Sequence, residues 1–228
     1  ANSIVGAPSR RIGAVRDAVL LLGTRTVSNL TVGANLQPLM AKTIPGYNIT
    51  GALFWRHSLA AALATEMLRP CSQQSVSPFA FSAALLHDIG KLVLGQLLSP
   101  QILDLLARAM TEGKQTAFCA ETEILSMHHG EVGGVVAQYW RLPESIVNGI
   151  IHHHDPEVGN ETICSVTCLA NCVAHAVTDP APAEDGPVSM SCPPDFALQA
   201  LGMSEQDYVD LCHAVAKRLA VVSAAYET

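Results

Sequence analysis

The chain has 228 residues, 49% hydrophobic and 14% charged, a composition that excludes a disordered polypeptide and allows a sizeable core without covalent staples. Thirteen Lys and Arg against 20 Asp and Glu give a net charge of −7, and no basic run follows a phosphate backbone, so nucleic acid is not an expected partner. The nine His lie outside that sum, and a divalent metal would change the charge of its own pocket, so a phosphorylated small molecule stays open as a ligand.

The apolar spacing is helical almost throughout and no period-two alternation is sustained, which predicts an all-α chain. The first helix is predicted over Ile12 to Leu22, and the opening on Ala1-Asn2-Ser3 without an initiator Met suggests that an upstream part is missing. The next, Ala52 to Leu68, carries His57 in Trp55-Arg56-His57-Ser58. Phe79 to Leu98 reads as one helix holding His87-Asp88-Ile89-Gly90-Lys91, and Ile102 to Met110 follows. Ala120 to His128 is predicted to end on the doublet His128-His129, before a helix from Glu131 to Tyr139. Pro143 and Glu144 suit the first turn of a helix from Glu144 to His152, which ends on His152-His153-His154 with Asp155-Pro156 behind it.

Thr162 to Val177 carries Cys164, Cys168 and Cys172 at intervals of four, one face of a helix rather than a CxxC pair. With seven Cys in all, these read as free thiols packing a stripe in a reducing cytosol; a thiolate metal site is the lesser alternative. Five Pro between Asp179 and Pro194 mark that stretch as a loop. About 34 residues follow it, too few for a second core. The last helix, Glu205 to Ala225, has Ser204, Glu205 and Asp207 at its start and is expected to pack back onto a single compact multi-helix domain spanning 1–228. No stretch reads as a basic, apolar leader and none approaches the roughly 18 apolar residues of a membrane span, so no membrane partner and a cytoplasmic location are expected.

The chemistry lies in the histidines. An imidazole beside a carboxylate, as in His87-Asp88, suits a borderline divalent metal, because the imidazole binds one ion through nitrogen while the carboxylate can bridge two. A buried Asp is also costly unless paired or ligated. Taken singly, each group has a plain structural explanation: His57 as a satisfied core histidine, the triplet as a helix end favoured by the dipole. Consecutive helical residues splay by about 100°, so at most two of the three can serve one site. Four histidine groups together with one Asp nevertheless favour a metal site.

The ordered set His57, His87-Asp88-x-Gly90-Lys91, His129 with Gly133, and His153-His154 resembles the HD superfamily of metal-dependent phosphohydrolases. It is most similar to the HD-related output domains, HDOD, of bacterial signalling proteins, on Asn2-Ser3, Ala18-Val19-Leu20-Leu21-Leu22-Gly23, His129-Gly130-Glu131-Val132-Gly133, Trp140-Arg141-Leu142-Pro143-Glu144 and His153-His154-Asp155-Pro156. The resemblance covers residue 2 to about residue 177.

It implies an HD-type helical bundle with the His-Asp doublet at its centre. In catalytic relatives the positions matching His57, His87 and Asp88 bind a first metal and those matching His129, His153 and His154 a second, with Asp88 bridging. Attack on phosphorus then follows, with Lys91 near the phosphoryl oxygens. The cofactors implied are one or two divalent ions: iron, manganese, nickel or zinc. Two departures stand out. Active families carry an Asp where this chain has Asn171, in Ala170-Asn171-Cys172-Val173-Ala174, and the Gly-Tyr-Pro phrase of cyclic-di-GMP phosphodiesterases is absent after His154. Three functions follow as expectations: a signal-transduction output domain that binds metal for structure or regulation and contacts signalling protein partners; a metal-dependent phosphohydrolase with Asp88 and Lys91 in catalytic roles; or a metal-free interaction domain.

Overall fold

The computed structural model describes residues 38, 40, 43–68, 73–179 and 193–223. Helices supply the regular structure there. The one extended contact among the described residues is an isolated bridge between Ile44 and Ile49, so the all-α expectation holds. The predicted helix Ile12 to Leu22 and most of the loop 179–194 lie outside the described residues.

Helix α1 (Gly51–Leu68) is buried from Ser58 to Thr65 without interruption. Its Ala60-Ala61-Ala62 and Ala64 present little more than backbone, which lets neighbours approach from every side. A helix apolar all round belongs in the middle of a bundle, and α1 touches α2 (Ala80–Leu86), α9 (Thr162–Thr178) and α11 (Glu205–Ser223). Helix α9 is the second buried axis: Ile163 to Asn171, Val173 and Ala174 are all buried. Cys164 and Cys168 sit inside it and Cys172 packs on the core's edge, all three without disulfides. Burial pushes the Cys164 thiol up to about 11, so the stripe packs as expected.

The predicted continuous helix Phe79 to Leu98 is two helices. Helix α2 ends at Leu86, α3 (Ile89–Leu97) begins after Asp88, and His87 and Asp88 form the corner between them. The turn tightens through a Lys91 N–H bond to the Asp88 carbonyl at 2.9 Å, and it brings Gly90 against the backbone of α6 (His129–Tyr139). Periodicity misses this break because the apolar pattern runs through it and no Pro announces it.

Helix α4 (Pro100–Thr111) starts on Ser99, whose Oγ faces Ile102 N. Helix α5 (Ala117–Leu125) starts on a Thr116 cap and ends where Ser126 takes a left-handed φ of 56°. His128 and His129 therefore open α6 rather than close the preceding helix. The His128 ring accepts from Gly130 N at 3.2 Å, and Glu131 accepts from His128 N at 2.9 Å, a reciprocal cap that fixes the start of α6. Helix α7 (Glu144–Ile151) follows Pro143 as expected, then a single turn, α8 (Pro156–Gly159). Helix α10 (Asp195–Leu201) was not predicted; it starts directly after Pro194 and stops on Gly202 at φ 63°. Ser204 and Asp207 cap α11 by mutual bonds of 2.8 and 3.2 Å.

Candidate metal centre

Side chains from α1, the α2–α3 corner, the start of α6, the end of α7 and α9 meet at Asp88. The order of burial is instructive: His87 and His129 are fully enclosed, His153 and Asp88 nearly so, and His57, Lys91 and Asn171 are buried at the edge. His154 is half-buried. The structure thus brings together His57, His87, Asp88, Lys91, His129, His153 and His154. It leaves His152 out, as adjacent helical side chains must splay, and it uses His128 as a helix cap.

The proton positions follow from the outer partners. His87 Nδ1 lies 2.7 Å from the Ala84 carbonyl and His153 Nδ1 2.7 Å from the Ile150 carbonyl. A carbonyl only accepts, so each Nδ1 carries the hydrogen and each neutral ring turns a bare Nε2 lone pair inward. His129 Nδ1 donates to Glu121 Oε2 at 2.7 Å. Thr178 gives its own hydroxyl hydrogen to the Ala174 carbonyl, and its oxygen stands 3.4 Å from His57 Nδ1, while His57 Nε2 is 3.0 Å from Asn171 Oδ1, so either nitrogen of His57 has an oxygen to donate to.

The inward atoms form two groups, in which the Nε2 atoms of His87 and His153 and both oxygens of Asp88 are acceptors. In the first, His57 Nε2 is 3.3 Å from His87 Nε2, 3.0 Å from Asn171 Oδ1 and 3.7 Å from Asp88 Oδ2, while His87 Nε2 is 3.4 Å from that oxygen. In the second, His129 Nε2 is 3.3 Å from His153 Nε2, 3.0 Å from His154 Nε2 and 3.1 Å from Asp88 Oδ1. Asp88 Oδ1 is buried without a hydrogen bond of acceptable geometry. Lone pairs pointed at lone pairs repel unless a proton or a cation lies between them. Ligand atoms about 2.0–2.2 Å from one ion stand roughly 3 to 3.5 Å apart, close to the 3.0–3.8 Å found in the two groups. The donor sets therefore fit a divalent cation, and Asp88 spans both.

Electrostatics agree. Burial pushes the Asp88 carboxyl up, but the neighbouring His87 and the Lys91 ammonium, 2.7 Å from Oδ2, outweigh it and hold the group ionised well below the usual range. Burial drives His57, His153 and His154 well below 6.5, so all three stay neutral and able to ligate. The sign of the resulting pH dependence is fixed. The unfolded chain takes up protons on these residues below about pH 6.5 while the native state does not, so the metal-free protein loses stability on acidification. The loss is up to about 1.4 kcal/mol per pH unit for each such histidine. Urea midpoints of chelator-treated protein at pH 7.5 and 5.5 should differ, with the acidic one lower.

Glu121 and Tyr47 were missed in the sequence. Glu121 is fully buried on α5; it accepts from both His129 N and His129 Nδ1 through Oε2, and from Tyr47 O–H at 2.7 Å through Oε1. Burial raises its carboxyl, and the bond from His129 more than reverses that; burial and Glu121 push the Tyr47 hydroxyl far up, keeping it a donor. A carboxylate behind a ligating imidazole fixes its ring and tautomer. Glu121→Gln should weaken metal binding about 10- to 100-fold with the fold intact, as measured by competition with a chromogenic chelator.

A cavity of about 200 Å³ opens over the first group, with His57, Asp88 and Lys91 on its floor and Ile49, Leu53 and Phe54 along one wall. Among the described residues no helix is long and apolar enough to cross a membrane.

Comparison with known proteins gives the family and the fold. Residues 1–156 match the HDOD domain family. A protein of Treponema pallidum (strain Nichols), itself uncharacterised, is 24% identical over 195 residues, 83% of this chain; the chain spans 37% of that protein's length. Among solved structures, an HDOD domain protein of unknown function from Geobacter sulfurreducens superposes with a TM-score of 0.73 at 22% identity, over 94% of this chain and 75% of that one. A Shewanella amazonensis SB2B protein described as a proposed phosphohydrolase gives 0.68 at 21%, over 92% and 76%. A Marinobacter aquaeolei VT8 protein described as a proposed signal transduction protein gives 0.72 at 19%, over 99% and 49%. At these identities the likeness is one of fold.

Proposed function

Because the chain belongs to the HDOD family, we propose that it is the output domain of a bacterial signalling protein, built round a site for one or two divalent cations that sets its shape instead of turning over a substrate. The observation that carries this is the pair of buried, acceptor-rich groups joined by Asp88, whose Oδ2 accepts from Lys91 while its Oδ1 has no hydrogen-bond partner. Iron, manganese, nickel or zinc would suit imidazole with carboxylate. Asn171 favours regulation over turnover: its neutral Oδ1 at 3.0 Å from His57 adds no charge where hydrolytic relatives place an Asp. The whole chain acts on this reading as one cytoplasmic domain whose helices, once braced from within, present a fixed surface to protein partners.

A second reading has its own support. Lys91, held by Asp88, lies on the floor of an open cavity, where its ammonium could steady the oxygens of a phosphoester. The bound cation would supply Lewis acidity there. On this reading Asp88 and Lys91 are catalytic, and a nucleotide or other phosphoester is the substrate.

Elemental analysis of purified protein beside the His87→Ala/Asp88→Ala variant, paired with a phosphodiester hydrolysis assay in added manganese or iron, separates the readings. Metal that disappears in the variant, without turnover, supports the output domain. Metal with turnover supports the hydrolase. No metal in either protein overturns both in favour of an interaction domain that works by contact alone.

A further inference from the structure

Asn171 and His175 on α9 and Asp179 at its C-terminal cap follow one another at intervals of four along one side of the helix. Asn171 reaches the inner cluster. His175, one turn on, lays its ring 4.5 Å from that of His57 and sets its Nδ1 2.9 Å from Asp179 Oδ2. One ligand atom from each of His57, His175 and Asp179 lies within 4.8 Å of the others. All three line the cavity over the inner cluster, and their side chains are 10%, 36% and 56% exposed, rising from floor to mouth.

We propose that His57, His175 and Asp179 form a third cation position at the mouth of this cavity, outside the two inner positions and competing with the first of them for His57. The plain alternative is a surface ion pair at i,i+4, of the kind Asp104 and Arg108 make on α4. Two features separate the α9 pair from that one: a second imidazole, His57, closes the triangle, and an open cavity gives a hydrated ion room. His57 serves this position in the tautomer whose Nε2–H donates to Asn171 Oδ1 at 3.0 Å, which leaves the Nδ1 lone pair, on the edge beside Thr178, for the outer ion; the ring then serves the outer ion in place of the first inner one. Two imidazoles and a carboxylate suit a borderline divalent ion such as cobalt, nickel or zinc, and three protein ligands leave coordination places for water facing the cavity. The position also supplies, two turns beyond Asn171, the negative charge that Asn171 does not bring.

The test is Co2+ titration of the whole chain, counting bound metal by equilibrium dialysis and following visible absorption, for the wild type, His175→Ala, Asp179→Asn and His87→Ala. Wild type should take up one more Co2+, weakly held, than His175→Ala or Asp179→Asn, with the weakest dissociation constant at least tenfold higher or lost in both. His87→Ala should keep that weak equivalent and lose a tight one. Equal uptake and equal affinities in wild type and Asp179→Asn overturn the proposal, as does a wild type that binds no Co2+. The outcome is independent of the inner positions: a weak equivalent that depends on Asp179, with no tight binding at all, sustains the outer site and overturns the inner one. Because Asp179 is exposed, its variant reports even if His175→Ala fails to fold, which circular dichroism checks.

Discussion

Asp88→Ala is expected to abolish tight metal binding at both inner positions and to destabilise the metal-free protein as well. Even partners one step removed from a metal cost about 10- to 100-fold in affinity when lost, and Asp88 is the carboxylate common to both acceptor groups, so the loss should exceed 100-fold. The second effect comes from Lys91. Its ammonium is 2.7 Å from Asp88 Oδ2 and its side chain is 8% exposed; removing the carboxylate leaves a buried cation without its partner, a change that costs about 3–5 kcal/mol. Asp88→Asn separates the two contributions, because an amide oxygen still accepts from Lys91 but brings no charge to a metal. The Asp88→Asn protein should therefore stay folded with a urea midpoint nearer that of the wild type, yet hold little metal by elemental analysis. An Asp88→Ala protein that keeps stoichiometric metal would place the ions elsewhere.

Most of the candidate ligand set could be read in the sequence, because His57, His87-Asp88, His129 and His153-His154 stand in a recognisable order within helices whose apolar spacing is regular. The helices of α1 and α9 were legible for the same reason, to within a residue or two at their ends. What escaped has one cause: it depends on which elements touch. The corner at His87-Asp88 is invisible to periodicity because Leu85, Leu86, Ile89 and Leu92 continue the apolar pattern through it; only contact with α6 requires the turn. Glu121 looks like any acid on a short helix, and Tyr47 precedes every predicted ligand, so nothing local links either to His129. Likewise nothing in the sequence links His175 and Asp179 to His57 until α9 is seen lying along α1. Helix α10 hid behind the prolines that precede it, since Pro193-Pro194 reads as loop yet also suits the entry to a helix.

The second large effect is expected at Gly90, where the fold and the site are one problem. A Cβ on Gly90 would stand 2.0 Å from the carbonyl oxygen of His129 and 2.8 Å from Gly133 N, and both are backbone atoms of α6 that no rotamer change can move. Overpacking a core costs about 1–3 kcal/mol when side chains can adjust; against fixed backbone, Gly90→Ala should reach the upper end of that range or pass it. The close approach is also what sets Asp88, two residues earlier, against His129, so spreading α3 from α6 by even an ångström would open the 3.1 Å contact between Asp88 Oδ1 and His129 Nε2. Gly90→Ala should accordingly lower the thermal midpoint and weaken the second metal position, which needs His129 with Asp88, more than the first, whose His87 and Asp88 share one corner. Gly202→Ala is the matched control: it strains a left-handed residue at φ 63° that contributes nothing to the site, and should cost stability without changing the relative affinities of the two positions in a metal titration. If Gly90→Ala and Gly202→Ala alter metal binding alike, the approach of α3 to α6 does not govern the site.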